Sequence, residues 1–472
     1  MDIKKQVRGL KAILSRWVNK PEYVYLVIAS VSVIGFVFIT PPFQGPDEEA
    51  HYIRTQYIAR GYLIPVDVNK SEASLPLSMR ETLHSTFYKD DLRGSSTNKY
   101  ELFRTKEALT MPLNKDDTYK PPMISYSPIP YLPAAPGVAL ANLLNLSPLV
   151  SMFIARLSLG AASILLIFLA IRFIPHKKYL FAAIGLIPML LFQQSVITAD
   201  SVSYALLALF IAYVLHLRAS VKNISRKQWL ILGAICIGIT LAKPLLYLFL
   251  PLVLLVVKKK VDLRWIVGMA VTCAVLLYGW MAVSSIKTDS ISISGTPDNV
   301  DQGQQIETLI DNPKRGARVA WNSYMTAYGD DEVRGVIGIF GAADTIYPLW
   351  MFSAYVFLLG LLFTINIDGS RTLKIHRGWK IAAGILCIGY FTAVNLALYL
   401  GYTPVNFDIV YGVQGRYFLP LFFIAAAVIF IGGIQIAKKD VPKVRIWTVA
   451  SIAVLVLLAL LITFQRYYLY TP

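Results

Sequence analysis

Directly after its first apolar run the chain carries Pro41-Pro-Phe-Gln-Gly-Pro-Asp-Glu-Glu-Ala-His51. Pro46 suits the first turn of a helix, and acids at 47–49 suit the positive end of one. Helical spacing then puts Asp47, His51 and Arg54 on one face. A carboxylate held where bilayer meets water can take a proton from a hydroxyl. That makes Asp47 a candidate general base and Glu48 the neighbouring candidate. The same acids also read as a plain acidic helix start at a membrane surface, which accounts best for Glu49. His51 could ligate a metal together with Asp47 and Glu48. The five histidines never form a ligand cluster, however, so a supporting hydrogen bond is the expected role.

Three cations stand within or at the edge of apolar runs: Arg156, Lys243 and Arg416. A Lys or Arg at the bilayer centre costs about 2.5–3.5 kcal/mol on insertion scales, so each is expected to face a partner or a wet cavity. Lys243 precedes Pro244 at the break of a long apolar run. Arg416 follows Gln414-Gly415 and precedes Tyr417 at the entrance of another. Arg156 reads equally well as half of a structural ion pair. Asp200, in Ile197-Thr-Ala-Asp-Ser201 between two runs, reads as catalytic support, as a helix N-cap or as the partner of one of these cations. Tyr328-Gly-Asp-Asp-Glu-Val-Arg334 could bind a metal or a sugar, but reads more simply as a solvated acidic turn.

These groups need a membrane scaffold. Of the 472 residues 56% are hydrophobic and only 15% charged, against about 25% charged in an average soluble domain. The mean hydropathy is +0.55. So many all-apolar helices could not be hidden in a soluble fold. A crossing takes about 20 residues at a rise of 1.5 Å each. The expected segments are Tyr23–Thr40, Val150–Phe173, Tyr179–Val196, Val202–Leu217, a hairpin over Leu230–Val257 turning at Lys243-Pro244, Trp265–Val283, Tyr347–Ile367, Trp379–Leu400, Tyr417–Ile436 and Ile446–Phe464. Counting the hairpin as two, that is an all-α bundle of about eleven membrane segments. Ile129–Leu146 is apolar but rich in Pro and Ala, and reads as a helix in the outer interface. The expected organisation is a basic N-terminus over 1–22 and one transmembrane domain over 23–472. Its large outer loops are 41–149 and 284–346. The first run lacks a small-residue cleavage site and reads as a retained span. The absence of an internal repeat disfavours repeat-built transporters.

The formal charge of +17 invites a nucleic-acid reading. Its distribution argues against one. More than half of the 45 Lys and Arg residues lie in six clusters, namely the N-terminal stretch and the short loops near 172–178, 218–227, 258–264, 371–380 and 438–445. Short basic loops between apolar runs are the signature of a cytoplasmic face. The N-terminus is therefore expected in the cytoplasm, and the functional end outside. Cys236, Cys273 and Cys387 all fall in apolar runs without ligand spacing, and read as packing residues.

Four motifs, in order along nearly the whole chain, carry a resemblance: the 41–51 stretch, Ala199-Asp-Ser201, Ala242-Lys-Pro244 and Gly412-Val-Gln-Gly-Arg-Tyr-Phe-Leu-Pro420. The arrangement resembles the GT-C superfamily of membrane glycosyltransferases. Within it, the chain is most similar to a bacterial family of polytopic membrane proteins of unknown function. The resemblance implies an inverting transferase of the cell membrane that moves a sugar from a polyprenyl-phosphate donor to an extracytoplasmic cell-envelope glycan. It implies that Asp47, or Glu48 beside it, is the catalytic base. It places the lipid phosphate on Lys243, Arg416 and Tyr417, with Arg156 as a further position and His51 and Asp200 in support. Some members use a divalent metal such as Mg or Mn; Asp47 and Glu48 are the residues that would hold one here. The chemistry is consistent with a single carboxylate, because phosphate leaves well once cations take up its charge. A glycosidase would instead need two paired carboxylates. A lipid-linked glycan transporter or flippase would use the same cations without a base, and a non-catalytic partner of a glycan-assembly complex would need neither.

Overall fold

The computed structural model describes residues 18–65, 74–86, 99–121, 126–220, 223–257, 260–288, 297, 299–323, 325, 333–341, 343–368, 373–430 and 433–469. Most of the basic N-terminus, Lys259 and most of the acidic turn at 328–334 lie outside the described residues. The chain is predominantly helical. Among the described residues six helices are long and apolar enough to cross a membrane: Pro21–Ile39, Pro148–Phe173, Ala199–Ala219, Asp262–Ser284, Arg377–Tyr402 and Val441–Leu469.

Local chemistry sets several starts. Pro21 and Pro148 open their helices in the first turn, where no N–H is needed. Ser147 caps the second of these by accepting from the Val150 N–H. Ser225 and Gln228 close a capping box at the start of Arg226–Ala242. The helices from 148 and 199 pack closely at the centre of the bundle, and Pro21–Ile39 packs on the helix from 148. Gly160 permits the close approach of Pro21–Ile39 and of the short helix Pro188–Ser195: a Cβ there would sit 2.8 Å from Val33 and 2.7 Å from the carbonyl oxygen of Gln194.

Several of the expected segments are interrupted where the sequence breaks its own helices. Tyr179–Val196 is not one continuous helix but two short buried helices, Lys178–Gly185 and Pro188–Ser195, parted before Pro188. Tyr417–Ile436 begins as a 3₁₀ turn at Gly415–Phe418, becomes α at Leu419–Ile424 and widens to a π turn at Ala425–Ile429. Tyr347–Ile367 holds only the 16-residue helix Leu349–Thr364. The interfacial stretch Ile129–Leu146 is a 3₁₀ turn at Ile129–Tyr131 followed by the nine-residue helix Ala135–Leu143, too short to cross. Among the described residues three two-residue strand pairs tie loops together. Leu75–Pro76 pairs with Thr118–Tyr119 and Ile339–Phe340 with Thr345–Ile346, both antiparallel; Ile365–Asn366 pairs with Ile434–Gln435 in parallel.

The break at Lys243-Pro244 makes a hairpin. Lys243 is extended and Leu245 is left-handed (φ 73°), between the helix Arg226–Ala242 and the 3₁₀ helix Leu246–Val256. At its tip Lys243 meets Asp200, at the start of Ala199–Ser220. At its foot Arg218, near the end of that same helix, donates to the Leu255 carbonyl at 2.7 Å. The two arms are matched in length although unequal in residues. Seventeen α residues rise about 25 Å, and eleven 3₁₀ residues about 22 Å. Thiols placed at Ser225 and at Val257 are therefore expected to react from the same side of the membrane. Labelling from opposite sides would replace the hairpin by a crossing and separate Lys243 from the site described next.

Candidate functional site

The site lies at the end of the bundle where Pro21–Ile39 exits. The connecting loop bends through two left-handed non-glycine residues, Phe43 (φ 58°) and Asp47 (φ 54°). Phe43 is buried against the Tyr52 ring, 5.5 Å between centroids. The helix Glu48–Ala59 starts immediately after Asp47, which is exposed, while Glu48 turns into the protein and is fully buried.

Glu48 and Arg156 find each other there. The guanidinium grips the carboxylate through Nε and Nη2, each at 2.7 Å. The remaining Arg156 N–H groups donate to the carbonyls of Val37, Thr40 and Pro41 at 2.9–3.0 Å. Glu48 also accepts from the Gly45 and Ile197 amides at 3.0 and 2.9 Å. All five Arg156 donors and both Glu48 oxygens are thus engaged. This corrects two expectations. Arg156 has no donor left for a lipid phosphate. Glu48 has no lone pair left for a metal or a substrate proton, so Asp47 and Glu48 do not form a two-carboxylate metal site. Among the described residues no group of three or more His, Cys, Asp or Glu side chains is arranged to hold a metal ion.

The other candidates converge. Asp200, nearly buried in the first turn of its helix, makes a short ion pair from Oδ1 to Lys243 Nζ, and its Oδ2 lies 3.8 Å from Arg416 Nε. Lys243 also donates to the Tyr204 hydroxyl at 3.0 Å and stands 5.0 and 5.1 Å from the Tyr204 and Tyr417 ring centres. Arg416 opens the 3₁₀ turn of Gly415–Phe418 and is 6% exposed; its Nε has no hydrogen-bond partner among the described residues. A buried guanidinium N–H without an acceptor is costly unless something else supplies one. The Tyr390 hydroxyl holds this segment by donating to the Tyr417 carbonyl at 3.1 Å.

Asp47 and His51 face the same place. His51 lies within electrostatic range of Asp47, Asp200, Lys243 and Arg416, and Asp47 reaches Arg416 and Tyr417 in the same way. His51 Nδ1 hydrogen-bonds the Tyr131 hydroxyl at 2.6 Å, and its ring is 5.2 Å from that of Tyr126. Burial lowers its pKa to about 4 against the pull of the two carboxylates, so the imidazole is neutral. Arg54, expected on the face of Asp47, turns elsewhere. It donates to the carbonyls of Tyr126, Tyr62 and Leu63, the first at 2.8 Å, and so holds Tyr126 against His51. Burial brings the Arg54 guanidinium down to about 10, still charged at neutral pH.

The arrangement can bind an anion at Lys243 and Arg416, in protein of low dielectric, and present whatever the anion carries to an exposed carboxylate. Sequence reasoning missed the tyrosines 126, 131, 204 and 390 that wall this site. Nothing in their spacing marks them out among 27 tyrosines, because they come from three separate segments.

A model of a family described as a predicted membrane protein, DUF2142, matches residues 31–425. No curated protein and no solved structure matches the chain.

Proposed function

The chain belongs to the DUF2142 family of predicted membrane proteins, and from that premise we propose that it is a membrane glycosyltransferase, moving a sugar from a polyprenyl-phosphate donor to an extracytoplasmic glycan of the cell envelope. The observation that carries this reading is the buried cluster of Lys243, Arg416 and Asp200, whose Arg416 Nε–H has no hydrogen bond among the described residues, beside the exposed Asp47. Two cations against one carboxylate suit a singly charged phosphodiester. The basic residues Lys178, Arg218, Arg226, Arg377 and Arg445 lie in the terminal turns of their helices at the end opposite the site; by the positive-inside rule that end is cytoplasmic and the site faces outward. An apolar cleft of about 440 Å³ beside the hairpin, lined by Thr240, Tyr247, Leu250, Met269 and Leu277, offers room for hydrocarbon.

In this reading the donor phosphate docks on Lys243 and Arg416 with its sugar toward Asp47. The acceptor hydroxyl attacks the anomeric carbon from the face opposite the phosphate and gives its proton to Asp47. The anomeric C–O bond breaks and its electron pair passes to the phosphate oxygen, whose growing charge the two cations stabilise. Configuration inverts, and polyprenyl phosphate leaves.

The test is donor binding and turnover by purified protein with a panel of polyprenyl-phosphate sugars. Arg416→Ala and Lys243→Ala are each expected to weaken donor binding by about tenfold or more. Arg416→Lys should recover only part, because an ammonium does not reproduce the guanidinium fork on phosphate. Wild-type donor affinity in both alanine variants would remove the phosphate assignment.

A further inference from the structure

The reading above leaves Asp200 without a task. It is not the base, since both of its oxygens face cations, and it is not a simple helix cap. Its Oδ1 is paired with Lys243 Nζ, yet its Oδ2 stops 3.8 Å short of Arg416 Nε, which keeps its proton free of any described partner. Asp200 therefore cancels one positive charge without using up the guanidinium's donors. The residues around it add no further charge: His51 is neutral, and Tyr204, Tyr390 and Tyr417 are phenols. Asp47 stands on the exposed side, where water screens it. The buried trio carries a net charge of plus one.

We propose that Asp200 is a charge filter: it tunes the phosphate site to a singly charged phosphodiester and against doubly charged phosphate groups. The proposal rests on the reading of Lys243 and Arg416 as phosphate ligands. The physical reason is the low dielectric of the site. One unbalanced charge there is far more costly than in water. A sugar phosphodiester carries one negative charge and balances the trio. When its anomeric C–O bond breaks, the electron pair stays on the phosphate. The resulting lipid phosphate monoester bears close to two charges above its second pKa of about 6. It then exceeds the trio by one, and Asp200 repels it. The same carboxylate that admits the donor so helps expel the product. It also disfavours donors linked through a diphosphate, which carry two charges from the start.

Two probes with one tail isolate the charge: farnesyl phosphate, doubly charged at about pH 8, and its methyl diester, singly charged. Direct binding to the full-length protein in detergent or nanodiscs is expected to favour the methyl diester. Asp200→Asn raises the trio to plus two and should shift the affinity ratio toward farnesyl phosphate by about 10- to 100-fold. Asp200→Asn/Lys243→Met returns the trio to plus one and should restore the original preference, which a merely structural role for Asp200 would not do. Lys243→Met alone takes the trio to zero. It should weaken both probes and widen the preference for the diester, so the filter stays testable even if Asp200→Asn fails to fold. An unchanged ratio in Asp200→Asn, or in Lys243→Met where the former does not fold, overturns the filter while leaving the phosphate site standing. Failure of the wild-type protein to bind either probe removes the phosphate site itself, and the filter with it.

Discussion

Asp47→Asn is expected to lower sugar-transfer turnover by about 10²–10⁴-fold while donor binding persists, the usual worth of a general base. The substitution is a clean one for a structural reason. Asp47 is left-handed at φ 54°, a conformation that Asn shares with Asp more readily than other side chains do. Asp47→Ala would add a backbone cost at the turn into the Glu48–Ala59 helix and blur the result. Because Asp47 is exposed and makes no side-chain cap, its loss as an acid should hardly move stability. Turnover and donor affinity measured on the same preparation separate the roles. A large fall in turnover at constant affinity supports the base. Near-normal turnover would favour a transporter, which needs the phosphate-binding cations but no proton acceptor.

The sequence made some of this legible, and the reasons are particular. Lys243 beside Pro244 announced both a helix break and a charge needing an anion, and the hairpin tip does meet Asp200. Arg416 was visible for the same reason, a cation at the head of an apolar run. Continuity was less legible. Leu186-Ile187 look as apolar as their neighbours, so hydropathy alone carries the helix across a junction where Pro188 divides it. The widened turn at Ala425–Ile429 has no polar or Pro signal at all. Pairing across long separations was least legible. Hydropathy marked Arg156 as needing a partner but could not choose among acids, and Glu48 lies 108 residues away. Adjacent residues then received one role although their side chains part: Asp47 faces water and Glu48 the core.

That parting has its own large consequence. Arg156→Met and Glu48→Gln are each expected to destabilise the folded protein by about 3–5 kcal/mol, the cost of leaving a buried charge without its partner. Thermal unfolding in detergent would read this directly. The double variant Glu48→Gln/Arg156→Met should cost less than the sum, since no orphaned charge remains. It should not return to wild type. The carbonyls of Val37, Thr40 and Pro41 lose their donor, and the amides of Gly45 and Ile197 exchange a carboxylate for a neutral amide. Those groups bracket the loop that presents Asp47, so the pair acts on chemistry only through that loop's shape. Turnover and stability should therefore fall together in Glu48→Gln. A Glu48→Gln protein with wild-type stability and little turnover would instead return Glu48 to the reaction, because only a carboxylate that handles substrate or its proton could be lost so selectively.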